Sequence, residues 1–402
     1  MMNKKLRQTG LLIMSMGLLS GCIQNIGPEK EEEIAPDKAT VNTTKNQLSK
    51  DFYRGVIVDG KYDLGASASG DNELSASGNA KAFEEGLLNI SKGVFPPDQY
   101  YLSEGKLIDD ETLTNWLSRE SEKNPEGLNP ALEAGEEQAT TQEAENSETT
   151  ENTQDTQEND QVVVDTQATP IYLSQIEEKN IMVETNEGFA LNGIVLGLAM
   201  NSKYSYTDKD GVVHEQEIST GELRERGKQY ANIIVGRLRN TEELRSVPIV
   251  VGIYRISSDD EAVGGTYVMD GVSREGNSVS DWKEHNEYRV MLPIMNQNLQ
   301  SEQYVFFDEF RNKVLDFFPN LNGITGEALY VNDQLDSLNI EVFTQFYSKT
   351  EITALTQYLT DVAQTHLPEK SDIEIRVESI QGTEAYVGRQ AGQESFQSHV
   401  FY

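Results

Sequence analysis

A long acidic segment, residues 132–169, constrains the folding of this chain more than any other feature. It contains eleven acidic side chains and no basic one, set among Thr, Gln, Asn and Ala. Such a composition cannot bury enough apolar surface to offset the loss of chain entropy, so the sequence predicts a disordered surface linker. This interpretation is favoured over a calcium-binding role for the run. The length able to fold is then roughly 300 residues, enough for two domains of ordinary size.

The first residues have the pattern of a bacterial lipoprotein signal peptide. Lys4, Lys5 and Arg7 precede a short apolar stretch, residues 11–19, which is too brief to span about 30 Å of hydrocarbon. The stretch ends in Leu19-Ser20-Gly21-Cys22, a lipobox, in which small residues let lipoprotein signal peptidase cut between Gly21 and Cys22. The sequence therefore predicts a signal peptide over residues 1–21.

Cys22 is the single cysteine of the chain, so no internal disulfide can form. We expect it to carry a diacylglyceryl group, including a fatty acyl chain such as palmitate, that holds the protein on the outer face of the cytoplasmic membrane. Residues 22–50 lack an apolar period and read as a flexible tether. The formal net charge of −34 repels phosphate backbones and anionic headgroups, so nucleic-acid binding is not expected.

Helical spacing recurs in residues 51–131, the predicted N-terminal part of the folded region. Ala80, Phe83 and Leu87 lie at helical intervals, with Gly93 as the expected stop. A second helix is expected over residues 110–119, capped by Asp109.

Beyond residue 170 the pattern predicts an α+β fold with antiparallel or mixed sheets covered by helices. Strands are expected at 192–206 and 247–256, and capping boxes at Ser219-Thr220-Gly221-Glu222 and Ser348-Lys349-Thr350-Glu351 predict helices. A helix at 301–318, a hairpin around Asn332-Asp333, and strands at 372–380 and 384–389 complete the pattern. The order strand, helix, strand, strand occurs twice, which leaves open two related units, residues 170–300 and 301–402.

Sequence motifs for catalysis or metal binding are not found. The chain has no G-x-S-x-G, P-loop, G-x-G-x-x-G or H-E-x-x-H pattern, and no metal or cofactor is expected. The histidines lack metal-ligand spacing and are expected at the surface or at helix ends: His214, His285, His366 and His399.

One segment partly matches a calcium loop, with Asp208, Asp210 and Glu217 at ligand positions, but Tyr206 occupies the first position. A hairpin turn at residues 208–211 is the favoured interpretation.

Aromatic side chains are concentrated in the last third of the chain: Tyr330, Phe343, Phe346, Tyr347, Tyr358 and Tyr386. They could line a groove for an extended polymer or peptide. A sheet face packed beneath helices is the favoured alternative.

Several segments, in order along the chain, resemble the CamS sex pheromone lipoprotein family of Gram-positive bacteria. They are residues 84–88 (EEGLL), 94–96 (VFP), 127–130 (GLNP), 170–173 (PIYL), 193–201 (GIVLGLAMN) and 344–359 (TQFYSKTEITALTQYL). The resemblance implies an extracellular α+β domain and a precursor whose signal peptide is processed into a short peptide that induces conjugation.

The corresponding peptide here would be Ser15, Met16, Gly17, Leu18, Leu19, Ser20 and Gly21. A non-enzymatic envelope lipoprotein is the leading interpretation of the sequence. The alternatives are a receptor for a peptide, glycan or small solute, using the aromatic-rich C-terminal unit, and an envelope enzyme.

Overall fold

A computed structural model describes residues 41–132 and 169–401, except for short gaps at 45–46, 59, 63–64, 67–73, 75–77, 187, 208–210, 259–260, 297–300 and 347. The described residues belong to one compact unit, Val41–Tyr402. Within these ranges, no helix has both the length and the apolar composition needed to cross a membrane.

Strands and helices alternate along the chain. The strands are β1 (Val41–Thr43), β2 (Arg54–Val58), β3 (Tyr101–Glu104), β4 (Leu173–Thr185), β5 (Gly188–Met200), β6 (Lys203–Thr207), β7 (Val213–Glu217), β8 (Ile249–Arg255), β9 (Thr266–Ser273), β10 (Ser280–Glu284), β11 (Glu287–Leu292), β12 (Gly323–Val331), β13 (Gln334–Phe343), β14 (Asp372–Ser379), β15 (Gly382–Arg389) and β16 (Gln397–Val400). The α-helices are α1 (Asn79–Lys92), α2 (Asp110–Leu117), α3 (Thr220–Leu238), α4 (Val305–Phe317) and α5 (Lys349–His366).

Two large sheets and a two-stranded ribbon organise these elements. The first sheet has the order β1-β2-β3-β4-β5-β8-β9-β10, and the second has the order β11-β12-β13-β14-β15-β16. The strands β6 and β7 pair only with each other. The predicted α+β class with mixed, helix-covered sheets is therefore confirmed.

The two sheets repeat one topology. In the first, β5 pairs parallel with β8 across the connection that contains α3, and β4 and β9 flank this pair as antiparallel neighbours. In the second, β13 pairs parallel with β14 across α5, and β12 and β15 are the antiparallel neighbours. The repeated strand-helix-strand-strand order seen in the sequence thus corresponds to a repeated arrangement in space.

The boundaries of the two sheets along the chain differ from the domain boundaries expected from the sequence. The strand β11 opens the second sheet, so the predicted division at residue 300 falls after its first strand. The strands β2 and β3, from the N-terminal part, extend the first sheet beyond β4.

The first sheet is covered on both faces. Along β5, Ile194, Leu196 and Leu198 pack in a cluster with α3 and Trp116, while Val195 packs on the other face with α1. Strands buried on both faces read as continuous apolar runs, as the segment IVLGLAM does.

Two glycines of β5 permit the close approach of aromatic rings. A Cβ added at Gly193 would lie 2.3 Å from Phe95, and one at Gly197 would lie 2.7 Å from Phe83. The face of the strand toward α1 therefore needs glycine at these positions.

The second sheet alternates buried and half-exposed residues. Along β12 the buried positions include Ile324, Ala328 and Tyr330, and they pack with α4 and α5 in one core cluster. This alternation is typical of a sheet with one covered face. The hairpin predicted at Asn332-Asp333 is confirmed, because both residues have positive φ values, 52° and 62°, as a two-residue type I′ turn requires.

Helix starts follow the predicted caps, with one difference. Asp109 caps α2 through the Thr112 amide, and Ser348 and Glu351 form a complete capping box at α5. Ser219 caps α3, but the carboxylate of Glu222 accepts a hydrogen bond from the Tyr172 hydroxyl at 2.6 Å. Glu222 therefore ties α3 to the chain leading into β4.

The long strand β4 was not predicted, because Glu177, Glu178, Lys179 and Asn180 interrupt its apolar pattern. The predicted strand at 192–206 is two strands, β5 and β6, that belong to different sheets. The strands β10 and β11 also lay outside the prediction.

Asn129 joins the chain after α2 to the start of β4. Its side chain is fully buried, and its amide nitrogen donates to the carbonyls of Leu117 at 2.7 Å and Leu173 at 2.9 Å. Its Oδ1 accepts from the amides of Tyr172 and Leu173, both at 2.9 Å. One side chain thus satisfies backbone groups from two segments that are distant in sequence.

Replacing Asn129 with Ala should lower the free energy of unfolding by about 2–4 kcal/mol, because buried backbone donors and acceptors lose their partners. Urea denaturation measures the change. Asn89→Ala, at an exposed position of α1, is the matched control and should change stability by less than about 0.5 kcal/mol. Equal effects of the two substitutions would contradict the structural role of Asn129.

Candidate functional site

A groove beside α2 is the best candidate for a binding site among the described residues. It is an open groove of about 440 Å³ between α2, β5, the last turn of α3 and the turn that follows α3, and Leu107, Thr241 and Glu243 at its edge are exposed to solvent. Its walls are mostly apolar, with two hydroxyls and two charged groups: Leu107, Thr112, Trp116, Leu191, Arg237, Leu238, Thr241, Glu243 and Leu244. Small-molecule and peptide sites typically have this size and this mixed lining.

Arg237 is held in the groove by Trp116. The guanidinium carbon lies 5.1 Å from the centre of the Trp116 ring, within the range of a cation–π interaction. Burial lowers the pKa of the Arg237 guanidinium, and the charge of Glu126 partly offsets this effect. Its Nη1 is buried without a hydrogen-bond partner in the described part of the chain. An acceptor from a ligand would satisfy that donor.

A second group of charged side chains surrounds Lys179, in the middle of β4. Its ammonium contacts Glu84 and Glu104 at 2.8 Å and Glu177 at 3.0 Å, and the lysine side chain is 2% exposed. The Tyr62 hydroxyl donates to the other oxygen of Glu104 at 2.8 Å. These contacts join α1, β3 and β4.

The electrostatics of this cluster are those of a buried ion pair. Burial alone would lower the pKa of Lys179, but Glu177 and the hydrogen bonds to Glu104 and Glu84 outweigh it and raise the pKa. Burial raises the pKa of Glu177, against the opposing effect of the Lys179 ammonium. Lysine therefore stays charged, and the carboxylates around it stabilise that charge.

Glu178 points to the opposite face of β4 and organises a loop. Its carboxylate accepts the backbone amides of Lys106, Leu107 and Ile108 at 2.9–3.1 Å. Burial raises the pKa of Glu178, and these amide hydrogen bonds lower it. The loop that precedes α2, including the groove residue Leu107, is positioned by this carboxylate.

His285 lies where the two sheets meet. Its Nε2 is 2.6 Å from Asp270 on β9 of the first sheet, and its Nδ1 is 3.2 Å from Glu287 on β11 of the second. The hydrogen bonds to Asp270 and Glu287 raise the pKa of His285 to about 9. His285 is half-buried, with 23% of its side chain exposed, and it is held by two carboxylates.

The remaining histidine and acidic candidates can be followed only where the structure describes them. His366 is in the last turn of α5, a helix-end position as expected. No group of three or more His, Cys, Asp or Glu side chains in the described ranges is arranged to hold a metal ion. Glu217 pairs with Lys203 at 3.4 Å on the β6–β7 hairpin, and Gly211 in its connection has a φ of 79°. Asp208 and Asp210 lie outside the described residues, as do Cys22 and residues 15–21.

Three of the C-terminal aromatic side chains, Tyr330, Phe346 and Tyr358, pack against other aromatic rings and the second core cluster. Tyr330 stacks on Tyr288 with ring centres 5.1 Å apart, and Phe346 contacts Phe318 at 5.9 Å. Tyr358 stacks on Phe317 at 4.1 Å. The favoured interpretation, a sheet face packed beneath helices, fits Tyr330, whereas Tyr358 stacks between α4 and α5 and Phe343 is 40% exposed.

The two sheets and the helices that cover them define a type of α+β protein that is known from solved structures. The chain matches the family model described as CamS sex pheromone cAM373 precursor over residues 63–395. It therefore belongs to the CamS family. No curated protein matches it.

Two solved structures are similar. The crystal structure of a sex pheromone precursor from Lactobacillus salivarius subsp. salivarius UCC118 is 31% identical, with a TM-score of 0.76, and the match covers 90% of this chain and 99% of that one. The structure of the C-terminal domain of the sex pheromone staph-cAM373 precursor from Staphylococcus aureus is 26% identical, with a TM-score of 0.62, over 81% and 96% of the two chains.

The segments that carried the family resemblance have packing roles. In EEGLL, a Cβ at Gly86 would lie 2.6 Å from the Tyr267 ring. In GLNP, Asn129 supplies the hydrogen bonds described above, and in PIYL, Tyr172 binds Glu222. These segments specify how helices and strands fit together. The groove residues Trp116 and Arg237 are outside all of these segments.

His285 should make stability depend on pH. Because its folded pKa of about 9 lies above the ordinary value of 6.5, its contribution is complete below pH 6.5 and is lost as pH rises through 9. After discounting for partial exposure, this contribution is about 1–2 kcal/mol. Urea denaturation should therefore show that His285→Gln is destabilising near pH 6 and close to neutral near pH 10. His399→Gln, at an exposed site, should have no such pH dependence. A His285→Gln effect that is constant across this range would contradict the assignment.

Proposed function

We propose that this CamS family protein is a lipid-anchored pheromone precursor on the outer face of the cytoplasmic membrane. In this proposal Cys22 carries the lipid, and the signal peptide supplies a short peptide that induces conjugation. The observation that carries the proposal is the family match, because the matched description is that of a pheromone precursor. The lipobox at Leu19-Ser20-Gly21-Cys22 supports the proposed lipid anchor.

The peptide and the folded region are separate parts of the precursor. The family match begins at residue 63, after the signal peptide, so it describes the exported region. The candidate peptide, residues 15–21, precedes Cys22 and leaves the chain when signal peptidase cuts. Leu18 and Leu19 are its branched apolar side chains, and a short peptide must use such side chains to enter a receptor pocket.

The mature region is proposed to act without catalysis. Its buried charged groups are engaged in structural contacts: Lys179 within an ion-pair network and Glu178 with three backbone amides. A nucleophile next to a positioned base is the arrangement that would favour an enzyme instead.

Replacing Cys22 with Ala should prevent lipidation and release the protein from the membrane, because the acylated residue is lost. Labelling with radioactive palmitate and fractionation of cells measure this result. Ser20→Ala, which keeps a small residue in the lipobox, is the matched control and should stay lipidated and membrane-bound. Labelled, membrane-retained Cys22→Ala protein would contradict the proposal.

Pheromone activity should reside in residues 15–21 alone. The synthetic peptide SMGLLSG should induce clumping of recipient cells that carry a responsive plasmid, and Leu18→Ser with Leu19→Ser should abolish this response because the apolar contacts are lost. A scrambled peptide of the same composition is the control. Cells expressing a precursor that lacks residues 51–402 but retains the cleavage site should still release activity. Activity that requires the folded region would contradict the independence of the two parts.

A further inference from the structure

The groove beside α2 holds one cation and one anion that do not pair with each other. Arg237 and Glu243 both line it, and neither forms an ion pair with any residue in the described part of the chain. The Nη1 of Arg237 is buried without an acceptor. The groove thus offers a guanidinium to a ligand anion and a carboxylate to a ligand cation.

The rest of the groove lining is mostly apolar, and the groove has the size of a ligand site. Leu107, Leu191, Leu238 and Leu244 line the groove together with Trp116, and the open volume is about 440 Å³. Thr112 and Thr241 add hydroxyls that can bind amide groups. The matching ligand has apolar side chains, peptide-like polar groups and one charge of each sign.

The geometry points to a binding site for a short apolar peptide with free termini. The C-terminal carboxylate would pair with Arg237, because a planar guanidinium can donate two parallel hydrogen bonds to a carboxylate. The terminal ammonium would be attracted by Glu243, and aliphatic side chains would pack on the leucines and Trp116.

Other ligand classes match the groove less well. A fatty acid could pair with Arg237 but would gain nothing from the exposed carboxylate of Glu243. A phosphate or other multiply charged anion would be repelled by a chain with a net charge of −34. A peptide with two free termini and uncharged side chains has no net charge, so it avoids this repulsion.

Trp116 provides a direct readout, because the chain contains two tryptophans and the other is Trp282. In a Trp282→Phe background, the fluorescence of Trp116 reports changes at the Arg237 contact. The probe is the peptide SMGLLSG, the sequence of residues 15–21, with free termini. Its C-terminal amide, its N-acetyl form and decanoate are the comparison ligands. Isothermal calorimetry gives the affinities independently.

We expect the free peptide to bind saturably and its C-terminal amide to bind at least about tenfold more weakly, as expected for the loss of a charge-assisted hydrogen bond. Arg237→Gln should lower the affinity for the free peptide to the same extent and should leave the affinity for the amide unchanged. Arg237→Lys should restore part of the affinity. Arg226→Gln is the matched control, since Arg226 lies on the same helix and stacks on Tyr172, outside the groove.

Three results would overturn the inference: no saturable binding of the free peptide, equal binding of acid and amide, or decanoate binding that matches the peptide and shares its dependence on Arg237. Circular dichroism of each variant checks that the fold is retained. If Arg237→Gln is unstable, Arg237→Lys, which keeps the positive charge, is compared with the unchanged protein instead. This inference does not depend on pheromone activity. An inactive peptide could still bind, and an active peptide could fail to bind.

Discussion

The first sheet depends on the ion pairs that the ammonium of Lys179 forms with three carboxylates. β4 has β3 on one side and β5 on the other, so every strand from β1 to β3 is attached through it. The middle of β4 is buried, and a lone ammonium there would carry a large desolvation cost. Glu104 and Glu177 neutralise that charge from β3 and β4, while Glu84 does so from α1. Removing one partner of such a buried pair typically costs about 3–5 kcal/mol.

Local sequence patterns predicted the elements whose signals are local. The helix α5 has a complete capping box and an apolar stripe, and the β12–β13 turn uses Asn332 and Asp333, both of which tolerate positive φ. By contrast, β4 was missed, because its charged residues become compatible with burial only through partners on other elements. Glu222 was assigned to a capping box, but its carboxylate binds Tyr172, a contact that no local pattern indicates.

The groove could not be predicted from sequence for the same reason. Trp116 and Arg237 are on different helices, and their contact exists only after both helices pack on the first sheet. Each residue alone has an ordinary explanation: Trp116 as a core aromatic and Arg237 as a basic residue near a helix C-terminus. The signal that identifies the site is the buried, unpartnered Nη1, which is visible only in the structure.

The packing of the N-terminal part has a consequence for the covalent chain. Residues 41–132 contribute β3 beside β4, α1 on one face of the first sheet and α2 in the core cluster on the other. They are held there by a shared core and by the Asn129 hydrogen bonds to Leu173. The peptide bonds of the acidic segment are therefore not what keeps the two parts together. A chain cut once in that segment would persist as a two-fragment complex, as in fragment complementation, and protease attack at a cell surface would change its covalent length without dismantling its fold.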